Sequence, residues 1–339
     1  MSDLRQRYVR LLKFYPKAYR EQRGDEILAT PMEASPSDRE HPAPSDAVDI
    51  ARHGVQMRLG LSSDRFAGRV LEMVAAPGLA VAAAFSVFLI VSAELFPFLN
   101  RAYGMTILLG PTHALVVPRP HFGPFATTGA VIYVVWILVA MAAVLRPTHR
   151  RGVATLGIMV TLVAMMVGRT YFAAPRVSLI LVIVALALPA VLAPTTEFAR
   201  HRMTMSAIAF GISLGILVWS SRSLIAHEAQ DGSRLRHSFG SLYTSSIYNL
   251  GSVLYLAGTL AVVGILTLII LRRTVAAGAV ALLLAPWLVV AYTYHVQNGR
   301  TLRSYALLLG IPLLLLAVAW IVDIARPASR RTGPALPTS

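Results

Sequence analysis

Long apolar segments dominate the chain from Leu71 onward and constrain its fold more than any other feature. Only 14% of the 339 residues are charged, whereas soluble domains carry about 25%. Of the 47 charged residues, 22 fall within the first 69 positions, so the remaining 270 residues carry only 25. Helices embedded in a lipid bilayer account for such a composition, because their backbone groups are satisfied internally and their side chains face lipid.

Eight apolar segments are each long enough, or nearly so, to cross the hydrocarbon core, which takes about 20 residues. They are residues 75–96, 126–145, 152–168, 177–193, 203–219, 251–271, 275–294 and 305–324. The sequence therefore predicts an all-α fold. Residues 1–69 are expected to form a small cytosolic helical segment, residues 70–325 a polytopic transmembrane bundle, and residues 326–339 a disordered cytosolic tail. Three segments are short, so counts from seven to nine spans remain open.

The distribution of Lys and Arg predicts the direction in which the chain threads. With the amino terminus inside, 22 of the 31 basic residues lie on the cytoplasmic side and nine on the other. Such an excess is typical of cytoplasmic loops. Without residues 1–69 the counts are ten and nine, so the orientation depends largely on that segment. We expect a multi-pass protein of the bacterial plasma membrane with both termini in the cytoplasm, since the Arg-rich, Lys-poor composition is typical of GC-rich bacteria.

Three short helices are predicted within residues 1–69. Apolar and aromatic residues recur at helical spacing before Pro16, which is expected to end the first helix; they are Leu4, Tyr8, Leu11, Leu12 and Tyr15. The second helix is expected over residues 17–30, with Pro31 stopping it. The third is expected to start at a cap supplied by Ser45 or Asp46 and to run through Leu61.

The predicted third helix carries apolar residues on one face: Val48, Ala51, Val55 and Leu59. Three short helices make a small core that is marginal by itself. We therefore expect this segment to pack against itself, the membrane surface or a partner.

The stretch from Leu11 to Glu33 carries a distinct set of residues. It comprises Leu11-Leu12, Tyr15-Pro16, Tyr19-Arg20, Gly24, Glu26 and Ile27. This pattern, under a tenth of the chain, resembles the helical prefix module of bacterial permease-like and signalling proteins, including many uncharacterised actinobacterial integral membrane proteins. The resemblance implies docking of a cytosolic protein, either a PadR-type transcriptional regulator or the ATPase of an ABC transporter. It implies that Leu11, Tyr15, Tyr19 and Ile27 take part.

The sequence Gly211-Ile212-Ser213-Leu214-Gly215 matches the nucleophile-elbow pattern of serine hydrolases. With His295 on another span as its base, Ser213 would be the nucleophile of an intramembrane serine hydrolase. The elbow requires a strand-to-helix turn, however, and this copy lies inside an apolar segment. We favour the alternative that Gly211 and Gly215 form a small-residue face on which another helix packs.

Ionisable residues in or beside the spans are functional candidates, because burying a charge in hydrocarbon is costly. Glu94 lies three residues before Pro97, at the start of a long outer connection that also contains His113 and His121. Imidazoles bind metals or respond to pH, but these two lack the spacing of metal ligands. We expect Glu94 at the membrane interface and both histidines in an ordinary surface loop.

Several classes of chemistry are excluded by residue content. The chain has no cysteine, which excludes thiolate metal sites and cysteine nucleophiles. Its only lysines are Lys13 and Lys17, so it carries no P-loop. We expect no cofactor, no metal and no nucleic-acid partner; a homo-oligomer remains open.

The leading hypothesis is a non-enzymatic sensor or permease-like subunit that docks a protein partner. The alternatives are a transporter or exporter of a small or lipophilic substrate, and the serine hydrolase above.

Overall fold

The fold is taken from a computed structural model, which describes twelve separate parts of the chain. They are residues 3–34, 39, 41–95, 105–108, 114–117, 122, 125, 127–172, 174–194, 204–218, 260–287 and 314–325. Helices dominate these parts, as the apolar segments predict. The chain comprises two compact units, the first made of Met1–Glu72 with Leu192–Thr195 and the second of Met73–Val191 with Thr196–Ser339.

The first unit contains three helices around a small aromatic core. They are α1 (Asp3–Leu11), followed by a 3-10 turn (Leu12–Phe14), α2 (Lys17–Ala34) and α3 (Pro44–Arg58). The buried core consists of Leu4, Tyr8, Leu12, Tyr15, Leu28 and Ile50. The first four of these recur every three or four residues and so lie on one side of α1 and its 3-10 extension.

Two predicted helix boundaries in this unit are wrong. Pro31 does not stop α2, which continues to Ala34. The proline lies in the last turn, so its missing N–H removes a single bond near an end where many carbonyls lack helical partners anyway. Neither Ser45 nor Asp46 caps α3, because the N-cap is Ala43 and Pro44 takes the first helical position, for which its fixed φ is suited. The end of α1 before Pro16 is as predicted.

Close packing within the first unit depends on one small residue and one long-range hydrogen bond. A Cβ added to Gly54 of α3 would lie 2.8 Å from the carbonyl carbon of Phe14, so glycine lets the two backbones approach. Gln56 Nε2 donates to the carbonyl oxygen of Leu192 at 3.0 Å. This bond ties α3 to the end of an apolar helix 136 residues later in the chain.

Eight apolar helices follow. They are α4 (Phe66–Leu89), which continues as a π-helical turn (Ile90–Leu95), α5 (Gly129–Leu145), α6 (Arg150–Tyr171), α7 (Val177–Leu192), α8 (Thr204–Val218), α9 (Leu260–Ile270), α10 (Thr274–Leu284) and α11 (Leu314–Ile324). One such helix overlaps each predicted span, and the helices that begin at Phe66, Arg150 and Thr274 start before the spans predicted there. Within the described parts only two stretches have the length and apolarity to cross a membrane, Phe66–Leu95 with 30 residues and Pro147–Tyr171 with 25.

The core of the second unit is formed mainly by α4, α5 and α7. Its fully buried large side chains include Phe85, Tyr133, Trp136 and Ile183. Phe85 meets Trp287 edge to face, with ring centroids 4.9 Å apart. A Cβ on Gly78 of α4 would overlap the Leu186 carbonyl oxygen of α7, so these two helices cross in backbone contact.

Helix α6 packs antiparallel against α5 through small residues. Its buried residues are Arg150 at its first position and then Ala154, Gly157, Thr161 and Gly168. Trp136 Nε1 of α5 donates to Thr161 Oγ1 at 3.0 Å, and that hydroxyl donates to the Gly157 carbonyl at 2.7 Å. The buried indole and hydroxyl are thereby both hydrogen-bonded, as burial away from water requires.

Part of the long connection between α4 and α5 is a hairpin rather than an irregular surface loop. Strands β1 (Met105–Leu108) and β2 (Ala114–Val117) pair antiparallel, with Met105 opposite Val117 and Leu108 opposite Ala114. The expectation of an ordinary surface loop concerned His113 and His121, which lie outside the described residues. Each strand is too short for an alternation of apolar and polar residues to distinguish it from an apolar loop in the sequence.

Candidate functional site

The strongest candidate site is the buried carboxylate of Glu94. Glu94 lies in the π-helical turn that ends α4, and its side chain has no exposed surface. π-Helical turns widen the backbone locally and occur frequently at functional sites. The expectation that Glu94 reaches a membrane interface is wrong, because the protein itself encloses this side chain.

The start of α5 supplies hydrogen-bond donors to Glu94. The Thr127 backbone N–H donates to Glu94 Oε2 at 2.8 Å, and Thr127 Oγ1 donates to Glu94 Oε1 at 2.5 Å. Thr127 Oγ1 in turn accepts the Gly129 backbone N–H at 2.9 Å. A Cβ on Gly129 would lie 2.6 Å from Glu94 Oε1, so only glycine allows this approach.

This geometry gives Glu94 a definable physical role. The first backbone N–H groups of a helix lack helical partners and carry partial positive charge, and a carboxylate there is favourable. Glu94 therefore fixes the beginning of α5 against the end of α4. With both oxygens engaged and no exposed surface, the carboxylate is closed to solvent in this conformation.

A second buried hydroxyl, that of Thr128, follows directly after Thr127 in the chain. Thr128 is 2% exposed, and its Oγ1 has no hydrogen-bond partner in the described part of the chain. A Cβ on Gly168 of α6 would overlap this oxygen. Glu94, Thr127, Thr128, Gly129 and Gly168 thus form one buried cluster, called the Glu94 cluster below.

A second buried acid repeats the arrangement elsewhere in the same unit. Asp323 of α11 is 5% exposed, and Thr274, the first residue of α10, donates from Oγ1 to Asp323 Oδ1 at 3.1 Å. In both cases a buried carboxylate at the end of one helix binds a threonine at the start of another. The sequence identified both acids but not their threonine partners, which are 33 and 49 residues away.

The serine-hydrolase residues are only partly described. Ser213 lies in α8 and is half-buried, whereas His295 lies outside the described residues. Among the described residues no atom lies within 4 Å of a Cβ added at Gly211 or Gly215. The small-residue face that these glycines were expected to form is therefore unoccupied by the described helices. His113 and His121 also lie outside the described residues.

The four residues assigned to partner docking lie in or beside the core of the first unit. Tyr15 is buried, while Leu11, Tyr19 and Ile27 are half-buried and pack on the same core. The Tyr15 ring stacks on that of Tyr19, with centroids 5.6 Å apart. Leu11, Tyr19 and Ile27 keep part of their surface exposed, whereas Tyr15 serves as an internal support.

Helix α3 is attached to this core by two tyrosine hydroxyls. Tyr15 Oη and His53 Nδ1 are 2.8 Å apart, and Tyr8 Oη donates to Asp46 Oδ2 at 3.0 Å. Burial, followed by the neighbouring Tyr19, raises the pKa of Tyr15 to about 12. Burial, followed by the charge of Arg52, lowers the pKa of His53. The Tyr15 hydroxyl therefore stays protonated and His53 neutral at pH 7.

No group of three or more His, Asp or Glu side chains lies close enough to hold a metal ion within the ranges described above. The chain matches no protein-family model, and comparison with curated proteins and with solved structures found no match.

Proposed function

We propose that the chain is a multi-pass membrane protein without catalytic activity of its own, acting as a sensor or permease-like subunit. Its amino-terminal unit docks a cytosolic protein, a regulator or an ATPase. The observation that carries the membrane part of this proposal is the surface of α6. Apolar helices also occur in the cores of soluble proteins, so exposure is what separates the two cases.

Helix α6 exposes apolar side chains to an extent that water does not tolerate. In its most apolar stretch only 22% of the residues are buried, against 78% for the stretch that includes α4. Its exposed large side chains are Leu156, Met159, Leu162, Val163 and Met166. Contiguous apolar surface of this kind marks an interface with lipid or protein. Helix α5 adds Leu138, Met141 and Leu145.

The eight-span threading receives support from long-range contacts. If the amino terminus is inside, Glu94, Thr127, Thr128 and Gly168 all fall at outer ends of spans. Their mutual contacts then join residues at the same depth. Likewise Thr274 and Asp323 both fall at inner ends, and they share a hydrogen bond. Removal of one span between Thr128 and Gly168, or between Thr274 and Asp323, would place the members of that pair on opposite sides.

The docking part of the proposal is supported by the outer surface of α2. Between the half-buried residues Tyr19 and Ile27, this helix exposes charged side chains of both signs: Glu21, Arg23, Asp25 and Glu26. Mixed charge beside a partly exposed aromatic residue suits a reversible polar contact with a soluble protein. The partner classes come from the resemblance of residues 11–33 to prefix modules.

Extraction from membranes tests the first part. We expect the full chain to remain in the membrane pellet after washing with alkaline carbonate and to be released by detergent. A protein that stays soluble without detergent would remove the basis of the proposal.

Site-specific photocrosslinking in living cells tests the second part. A photoreactive residue at Thr30, exposed on α2, is expected to trap one soluble protein identifiable by mass spectrometry. Trapping should be lost when Glu21 and Glu26 are both changed to Arg, and retained in the Asp64→Arg control. A photoreactive residue at Met166 on α6 should trap no soluble protein. Trapping that ignores the α2 charges would contradict docking at this surface.

A transporter of a small or lipophilic substrate is the second candidate, favoured by the Glu94 cluster. A buried carboxylate with an adjoining unbonded hydroxyl is a chemistry that transport sites use. In this conformation the site is closed, so transport would require α5 to separate from the end of α4. Lipid-permeant carboxyl reagents that modify Glu94 only in the presence of a transported compound would favour this reading.

A further inference from the structure

The outer face of α3 carries exposed apolar side chains. Val48, Val55 and Leu59 are 63%, 41% and 63% exposed. Their spacing of seven and four residues places them on one side of the helix, opposite Ile50 and Gly54, which face the core. We call Val48, Val55 and Leu59, with Arg52 between them, the α3 stripe.

A positive charge lies within the α3 stripe. Arg52 is four residues after Val48 and three before Val55, so it lies on the same face. Its Nη2 atom has no hydrogen-bond partner among the described residues. Asp49 is the acid that interacts with it electrostatically. Arg58 is engaged otherwise, since it donates to the carbonyl oxygens of Lys13 and Tyr15. Arg52 is therefore the basic residue that the α3 stripe offers to a phosphate or carboxylate. Because its Nη2 atom is buried in this conformation, the side chain has to turn outward to bind such a group.

The position of the α3 stripe along the chain limits what can cover it. Only residues 59–65 separate the end of α3 from Phe66, where α4 begins. Seven residues reach about 25 Å at full extension. If α4 is the first span, the Leu59 end of the stripe is held within that distance of the cytoplasmic end of α4. The cytoplasmic membrane surface is negatively charged and attracts basic segments.

We infer that the α3 stripe rests on the cytoplasmic leaflet, with its three apolar side chains among the lipid headgroups and Arg52 bound to the phosphate of an anionic phospholipid. Short amphipathic helices with basic residues bind membranes in this way. This inference depends on the proposed membrane location. It leaves the charged surface of α2 for the soluble partner.

Fluorescence quenching in vesicles tests the inference with the full chain. The chain has no cysteine, so Leu59→Cys provides one labelling site for an environment-sensitive dye. The protein is reconstituted in phosphatidylcholine vesicles with or without phosphatidylglycerol, and quenching by doxyl-labelled lipid is measured. We expect strong quenching with phosphatidylglycerol, and a docked fraction that falls about fivefold without it or in the Arg52→Glu variant. Arg23→Glu makes the same charge change on α2 and should have no effect.

Two further labels make the outcomes decisive. A dye at Asp25→Cys on α2 should remain unquenched, and a dye at Met166→Cys on α6 should be quenched in all vesicles. If Met166→Cys is not quenched, the membrane proposal itself fails. If it is quenched but Leu59→Cys is not, or if quenching ignores both phosphatidylglycerol and Arg52, the inference fails alone. Shielding of Leu59→Cys only after the trapped soluble protein is added would assign the stripe to that protein instead.

Discussion

At the end of α4, one carboxylate positions the start of the next long helix. Glu94 accepts both the N–H and the hydroxyl of Thr127, and Gly129 gives it room. A buried donor left without an acceptor costs about 1–3 kcal/mol. Removal of Glu94 would therefore destabilise the protein mainly through the unsatisfied N–H that it would leave at Thr127.

Substitution of Glu94 should show a graded loss of stability. Glu94→Ala leaves the Thr127 N–H unsatisfied, and we expect a loss of about 1–3 kcal/mol. Glu94→Gln should lose less, because its amide oxygen can accept that N–H while its amide group donates to Thr127 Oγ1. Thermal unfolding of the detergent-purified chain, followed by tryptophan fluorescence, measures the order. Glu26→Ala, at an exposed carboxylate, is the control. An alanine variant as stable as the parent would contradict this role.

The lowered pKa of His53 predicts an acid-sensitive first unit. Its unfolded pKa is about 6.5, and its folded pKa lies below that. The unfolded chain therefore binds the proton more readily, so the stabilisation is complete above pH 6.5 and is lost as the pH falls through the folded pKa. Amide exchange in α3 of the full chain, corrected for intrinsic rates, should show protection falling between pH 7 and pH 5. The His53→Gln variant should lack this dependence, and a parent protein with constant protection would refute it.

At the scale of the helix, glycine positions decide which surfaces touch. Along α6, Gly157 lies against Val139, whose methyl would be 2.9 Å from an added Cβ, and Gly168 lies against Thr128. Gly152 on the same helix has nothing within 4 Å of an added Cβ among the described residues. Only the first two glycines are therefore required for contact with α5.

A matched pair of alanine substitutions on α6 tests this distinction. Gly168→Ala forces Thr128 and the start of α5 to move, and we expect destabilisation of about 1–3 kcal/mol. Gly152→Ala meets no atom and removes a flexible residue from a helix, so a neutral effect or a gain of up to about 1 kcal/mol is expected. Midpoints of thermal unfolding compare the two variants. Equal effects would mean that the close contact at Gly168 is not formed.

Sequence pattern predicts helices well here and their contacts poorly. Runs of apolar residues predict α4 to α11, because the apolar composition of a segment can be read from that segment alone. The pairing of Glu94 with Thr127 is invisible in sequence, since it depends on how helices 33 residues apart meet. The sequence pattern missed the continuation of α2 through Pro31 and the pairing of β1 with β2, for related reasons. In both, surrounding structure outweighs a weak local preference. Helix α3 was predicted with its apolar face, but not with that face pointing outward.

At the scale of the whole molecule, the arginine distribution and the contacts favour the same threading. Under the proposed threading, the cytoplasmic side holds 22 basic residues and the other side nine, and the Glu94 and Asp323 hydrogen bonds join ends of spans at the same depth. The charge count is weak without residues 1–69. The contacts do not depend on that segment; they bear on how the spans alternate and not on which side the amino terminus lies.

Reporter fusions test the threading directly. Alkaline phosphatase, active only outside the cytoplasm, should be inactive when fused after Arg150 or after Ala325 and active when fused after Phe172. Green fluorescent protein should give the opposite pattern. Activity of the phosphatase after Ala325 would indicate an odd number of spans and would overturn the eight-span proposal.

The hydrogen bond from Gln56 to Leu192 has a consequence for biosynthesis. The amino-terminal unit includes Leu192–Thr195, which the ribosome makes long after residue 72. At about 5–20 residues per second, the 136 intervening residues take roughly 7–27 seconds. During that interval the nascent segment lacks the hydrogen bond to Leu192, while α4 to α7 are being synthesised. The amino-terminal unit therefore cannot be completed until the fourth apolar helix has been synthesised.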